Sequence, residues 1–175
     1  MPPSTTPRPP SGLPDARSLL DDVNRRILAV LAEDARTSTA ELARRVGLSA
    51  PTVRERVGRL EQAGVIRGYR LDVDPAALGL PVAAWVRIRP GPGQLPRIAD
   101  LAARLPEVSA CYRISGEDCF LLQVHVPSIE ALEGVLDRFL LHGQTISSFI
   151  VSTPVQPRPP APGRDRNDAT GNPGS

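Results

Sequence analysis

The chain contains no lysine; all 21 of its basic residues are arginine. Together with the abundance of alanine, proline and glycine, this reads as the bias of a GC-rich genome, so no single arginine signals a choice over lysine. Those 21 cations face 19 acids, leaving a net charge of only +2. Nucleic-acid binding must therefore be argued from where the arginines fall, not from their total. Aromatic residues make up 3% of the chain, so a core drawn from its 41% apolar residues must rely on Leu, Val, Ile and Ala. Two cysteines, Cys111 and Cys119, with no C-x-x-C spacing, exclude a disulfide framework and a zinc ribbon, and suit a reduced cytoplasm. Two isolated histidines, His125 and His142, make no metal set, and no cofactor is expected. No apolar run approaches the ~18–20 residues of a membrane span. Residues 1–10 have neither a charged start nor an apolar core, so no secretory signal is expected.

What is present divides into five stretches. Residues 1–18 and 156–175 are rich in Pro, Ser, Thr, Gly and Asp and are expected to be disordered tails. Residues 19–74 show helical periodicity, residues 75–81 carry the linker-like D-P-A-A-L-G-L-P run that begins at Asp74, and residues 82–155 alternate strands with helices.

In the first domain, Leu20, Val23, Ile27, Val30 and Leu31 mark one helix, capped by Asp21 or Asp22. A second helix over 39–46 buries Leu42 and Val46, with Ser38 or Thr39 as cap and Glu41 completing a capping box with Ser38. Gly47 suits a left-handed helix end. Ser49 then caps a third helix with Pro51 in its first turn, and Val53, Val57 and Leu60 share one face until Gly64 stops it. Residues 65–73 are expected to continue as a strand, with Tyr69, Leu71 and Val73 on one side.

A helix, a tight glycine turn and a second helix form the helix-turn-helix arrangement, whose second helix offers its free face to a major groove about 12 Å wide. Thr52, Glu55 and Arg59 fall away from the apolar stripe, with Arg54 and Arg56 on its flanks. Ser49 and Thr52, at the helix N-terminus, suit phosphates or base edges, and the arginines suit guanine. Arg44 and Arg45 on the preceding helix are placed to reach the DNA backbone. The same charges would also suit a plain solvated helix face.

The second domain reads βαββαβ: strands at 82–89, 108–114, 120–126 and 146–152, helices at 94–105 and 128–141. This order predicts an α+β, ferredoxin-like sandwich with both helices on one face of the sheet. The other face carries Ala83, Trp85 and Leu121, and an uncovered apolar face calls for a partner, here a second copy of the chain.

The stretches L-D-D-V-N-R-R-I-L, L-A-E-D-A-R, E-L-A-R-R-V-G-L-S, R-V-G-R-L-E-Q-A-G-V-I-R-G-Y, D-P-A-A-L-G and S-G-E-D-C-F-L-L resemble the leucine-responsive and asparagine-responsive (Lrp/AsnC) transcriptional regulators over 19–155. The resemblance implies an N-terminal winged helix-turn-helix over 39–58 whose last helix reads double-stranded DNA. It also implies a C-terminal domain that pairs subunits into dimers and often octamers and, in many members, binds an amino-acid effector. Gly116, Glu117, Asp118 and Cys119 match the effector-loop region, though the family's commoner pattern puts the aspartate where Cys119 stands. Backbone N–H groups at Gly116 would hold a carboxylate and the acids an ammonium group; a plain hairpin turn would use the same residues, and Cys119 is also a candidate redox thiol. Two other functions share the plan: an effector-free architectural DNA-binding protein, and a sirohaem-decarboxylase-like enzyme, for which the two histidines lack evident partners.

Overall fold

The structure, a computed structural model, describes residues 18–160. The tail expectation for 1–17 and 161–175 lies outside the described residues, and 156–160 are exposed without helix or strand. Two compact units divide between Arg70 and Leu71.

The first unit is three helices: α1 (Asp22–Glu33), α2 (Thr39–Val46) and α3 (Ala50–Gln62). Each start is capped by a short polar side chain that satisfies an orphan backbone N–H. Asp21 accepts from the Asn24 amide at 2.7 Å, Ser38 from Glu41 at 3.2 Å and Ser49 from Thr52 at 3.4 Å. Gly47 ends α2 at φ 71°, a left-handed conformation that glycine adopts without penalty, and so makes the turn tight. Ile27, Val30, Leu42, Ala43, Val46, Val53 and Leu60 form the core. Fully burying one of these Val, Leu or Ile side chains stabilises the unit by about 1.5–3 kcal/mol.

The expected strand over 65–73 does not form. The amides of Val65 and Ile66 turn back onto the Leu60 carbonyl at 2.9 and 3.0 Å, and both side chains pack on the helical core. Beyond them, 67–74 forms neither helix nor strand, and Tyr69, Leu71 and Val73 stay exposed. A strand is defined by the partner that takes its hydrogen bonds, and alternation cannot supply one. The stretch expected to link the domains belongs to the second unit as a single 3-10 turn, Ala76–Leu78, closed by Gly79.

The second unit contains β1 (Val82–Pro90), α4 (Leu95–Arg104), β2 (Val108–Arg113), β3 (Phe120–Val126), α5 (Ile129–Leu140) and β4 (Gly143–Phe149). All pairings are antiparallel in the order β2-β3-β1-β4, the ferredoxin-like topology the βαββαβ pattern predicts. Ala84, Val86 and Ile88 with Phe120, Leu122, Val124 and Val126 bury one sheet face against Ile98, Leu132, Val135 and Phe139 of the helices. By alternation, Ala83, Trp85, Leu121 and Gln123 lie on the other face.

The last strand begins three residues before the expected 146–152. Gly143 lies opposite Pro90 and starts β4 directly after α5. Gly, Gln and Thr carry a weak strand signal, so only pairing with β1 reveals this start. The same closeness explains the glycine, since a methyl group on Gly143 would collide with the Arg89 carbonyl oxygen. Gly143→Ala should therefore destabilise the second unit by about 1–3 kcal/mol, read as a lower denaturant midpoint at unchanged slope.

Candidate nucleic-acid interface and effector loop

At about 100° per residue, Val53 and Leu60 point α3 into the core, and Pro51, Glu55, Gly58 and Gln62 run along the opposite crest. Arg54 and Arg59 flank that crest, and these six residues line a shallow open notch of about 510 Å³. An interior glycine lowers helix stability by roughly 0.5–1 kcal/mol relative to alanine, and Gly58 stands in the middle of α3. Pro51, Gly58 and Gln62 carry no charge and share this crest with Glu55 through i, i+4, i+7, i+11 spacing.

The five cations expected to meet DNA are not equivalent. Arg44 binds Glu41 through two bonds of 2.9 and 2.6 Å, Arg45 binds Glu33 at 2.6 Å, and Arg59 binds Glu55 at 2.5 Å. Arg54 is exposed and has no ion-pair partner among the described residues. Arg56 points to the start of α1: its guanidinium donates to Asp21 Oδ2 at 2.7 Å and to Asn24 Oδ1 at 3.1 Å. Asn24 is 4% exposed and donates in turn to the Leu19 carbonyl at 2.6 Å. Burial alone would raise the Asp21 pKa, but the Arg56 hydrogen bond, the Asn24 and Val23 amides and the Arg56 charge together lower it. Ser49 and Thr52 keep their place at the α3 N-terminus, their hydroxyls 2.8 Å apart.

In the second unit, residues 114–119 close a hairpin between β2 and β3, with the Ile114 amide donating to the Cys119 carbonyl at 3.0 Å and Gly116 at φ 106°. Register sets Ile88 opposite Phe120, which brings the loop to the Arg89 end of β1. Arg89 binds Glu117 at 2.5 Å and lies 3.7 Å from Asp118, and Arg87 lies 3.8 Å from Asp118. The expected acids are thus brought together with two cations that the sequence reading did not connect to them. The result is an amphoteric cluster of two guanidiniums and two carboxylates, matched in kind to a zwitterion. The Cys119 thiol meets the Gly116 and Glu117 carbonyls at 3.7 and 3.6 Å.

Neither histidine has a carboxylate hydrogen-bond partner among the described residues. His142 Nδ1 meets Gln94 at 2.9 Å, and His125 Nδ1 is buried without a partner, its pKa lowered by that burial. No group of three or more His, Cys, Asp or Glu suited to a metal occurs among the described residues.

Residues 20–67 match the winged helix-turn-helix DNA-binding family, and residues 83–160 match the Lrp/AsnC ligand binding domain. The HTH-type transcriptional regulator LrpC of Bacillus subtilis is 37% identical over 133 residues, 76% of this chain and 92% of that protein. The regulator LrpA of Mycobacterium tuberculosis is 39% identical over 137 residues, 77% of this chain and 91% of that one. Among solved structures, a feast or famine regulatory protein of M. tuberculosis complexed with L-methionine superposes with a TM-score of 0.77 at 38% identity, over 82% of this chain and 99% of that one. With both of its units matched and relatives of this similarity spanning most of its length, the chain belongs to the Lrp/AsnC family of transcriptional regulators.

Proposed function

We propose that the protein is a sequence-specific DNA-binding transcriptional regulator, acting on chromosomal DNA in the cytoplasm as a homodimer or an octamer built from dimers, and modulated by an amino acid. The observation that carries the reading is the free crest of α3, a capped helix after a tight glycine turn with Arg54 and Arg59 on either side. In this reading Arg54, Arg59 and Glu55 meet base edges, Ser49, Thr52, Arg44 and Arg45 meet phosphates, and Arg56 positions α3 through Asp21 and Asn24. Arg54→Ala should weaken binding to a duplex selected by the unaltered protein about tenfold, the loss of one guanine or phosphate contact. If the contact is to phosphate, the slope of log K against log salt should fall by about one. Binding unchanged by this substitution at fixed salt refutes the assignment of α3.

The effector would lie at Gly116, Glu117, Asp118 and Cys119, its carboxylate meeting Arg89 or loop amides and its ammonium group the two acids. Two relatives, from Neisseria meningitidis and M. tuberculosis, have been solved with L-methionine, which supports this class of ligand. One observation favours an effector-free, architectural role instead: Glu117 is already paired by Arg89 at 2.5 Å. A panel of twenty amino acids added to a protein–duplex complex separates the two, since an architectural protein would show no change in affinity with any of them.

A further inference from the structure

The inference rests on the DNA reading of α3 and adds a residue to it. Within one turn of Gly58 stand Arg54, Glu55, Arg59 and Gln62, all with long side chains, so the notch they line exposes bare helix backbone at its middle. Among the described residues nothing requires glycine there. Its backbone is not left-handed, and an added methyl group would meet no heavy atom within 4 Å beyond the helix's own backbone. For a helix interior, alanine is the more stable choice. Gly134 in α5 is equally unconstrained but lies far from α3 in sequence and in the other compact unit, which makes it a matched control.

We infer that Gly58 is the point at which α3 comes closest to duplex DNA. An α-helix with its side chains is about 10–12 Å across and the major groove about 12 Å wide, so a side chain at the middle of the crest holds the helix axis away from the base edges. A missing side chain there lets the backbone sink while Arg54 and Arg59 straddle it. Gly58 thus sets the depth of docking, and with it the reach of both arginines to bases.

The test uses the full chain with three variants, Gly58→Ala, Gly134→Ala and Arg54→Ala. A duplex is first enriched from a random library with the unaltered protein, and affinity for it at fixed salt is then measured beside the melting temperature. Gly58→Ala should melt higher than the unaltered protein yet bind at least fivefold more weakly. Gly134→Ala should melt higher and bind unchanged. A loss under fivefold for Gly58→Ala, while Arg54→Ala still weakens binding, overturns the inference and leaves the DNA reading standing. A lower melting temperature for Gly58→Ala also overturns it, because the chain itself would then need the glycine. An unaltered protein that enriches no duplex, or an Arg54→Ala variant that binds as well as it does, overturns the DNA reading and the inference together.

Discussion

Trp85→Glu is expected to convert the protein to monomers at micromolar concentration and to lower its affinity for a two-half-site duplex by about 10²–10⁴-fold. Trp85 sits on β1, between β3 and β4, opposite Gln123 on one side and Ser148 on the other. Its ring packs against Tyr112 with centroids 6.4 Å apart. Ile146 and Tyr112 on the same face are about half exposed, at 48% and 52%. Both helices cover the opposite face, so these apolar groups have no cover from their own sheet layer. In a C2 pairing of sheets, the same patch serves both copies, and two introduced carboxylates would be buried near one another in an apolar patch. The effect on DNA follows from linkage: a dimer presents its second recognition helix at a high effective concentration, an advantage of about 10²–10⁴ that monomers lose. Half-sites about 34 Å apart, one helical turn, are what such a dimer would select. Sedimentation velocity and titration of a selected duplex measure both effects. A Trp85→Glu protein that stays dimeric with its melt intact would place the interface elsewhere, and an unaltered protein that is monomeric would remove the two-half-site scheme.

Arg56→Ala should destabilise the helix-turn-helix unit by about 1–3 kcal/mol, the cost of leaving a buried polar atom without its partner. Asn24 Oδ1 is the atom concerned: the residue is 4% exposed and its oxygen receives a hydrogen bond from Arg56. In a unit of this size each kcal/mol corresponds to roughly 4–8 °C of melting temperature. Lysine should rescue in part, because a single nitrogen, Arg56 Nη1, donates to both Asp21 and Asn24, and an ammonium group also carries more than one donor. The pH dependence has a definite sign. Asp21 has its pKa lowered below the ordinary aspartate value of 3.8, so its pairing with Arg56 contributes stability that is fully present above that value. The contribution is lost as pH falls through the lowered folded pKa. In Arg56→Ala this part of the acid limb should flatten. Arg56→Ala and Asp21→Asn should both leave the salt slope of DNA binding unchanged, whereas a drop of about one for Arg56→Ala would show that Arg56 touches phosphate.

The sequence alone determined the elements whose signals are local. Asp21, Ser38 and Ser49 cap helices because a short acceptor before an apolar stripe satisfies the first free amides, wherever the helix later packs. Gly47 marks the tight turn for an equally local reason, its left-handed backbone. The βαββαβ order of apolar patterns was sufficient to specify the ferredoxin-like topology, because few arrangements bury two helices and four strands of that order. Tertiary structure decided everything that depends on a distant partner. Residues 65–73 alternate like a strand but find none to pair with among the described residues, and β4 starts at Gly143 because β1 lies beside it. Arg56 lies near the α3 flank that a helical wheel assigns it, yet only the packing of α1 against α3 brings Asp21, 35 residues away, within 2.7 Å. Arg89 and Glu117 are likewise joined by the register of β1 with β3. Charge, periodicity and capping are properties of neighbours along the chain; an ion pair between elements is a property of how those elements pack, which no local pattern encodes.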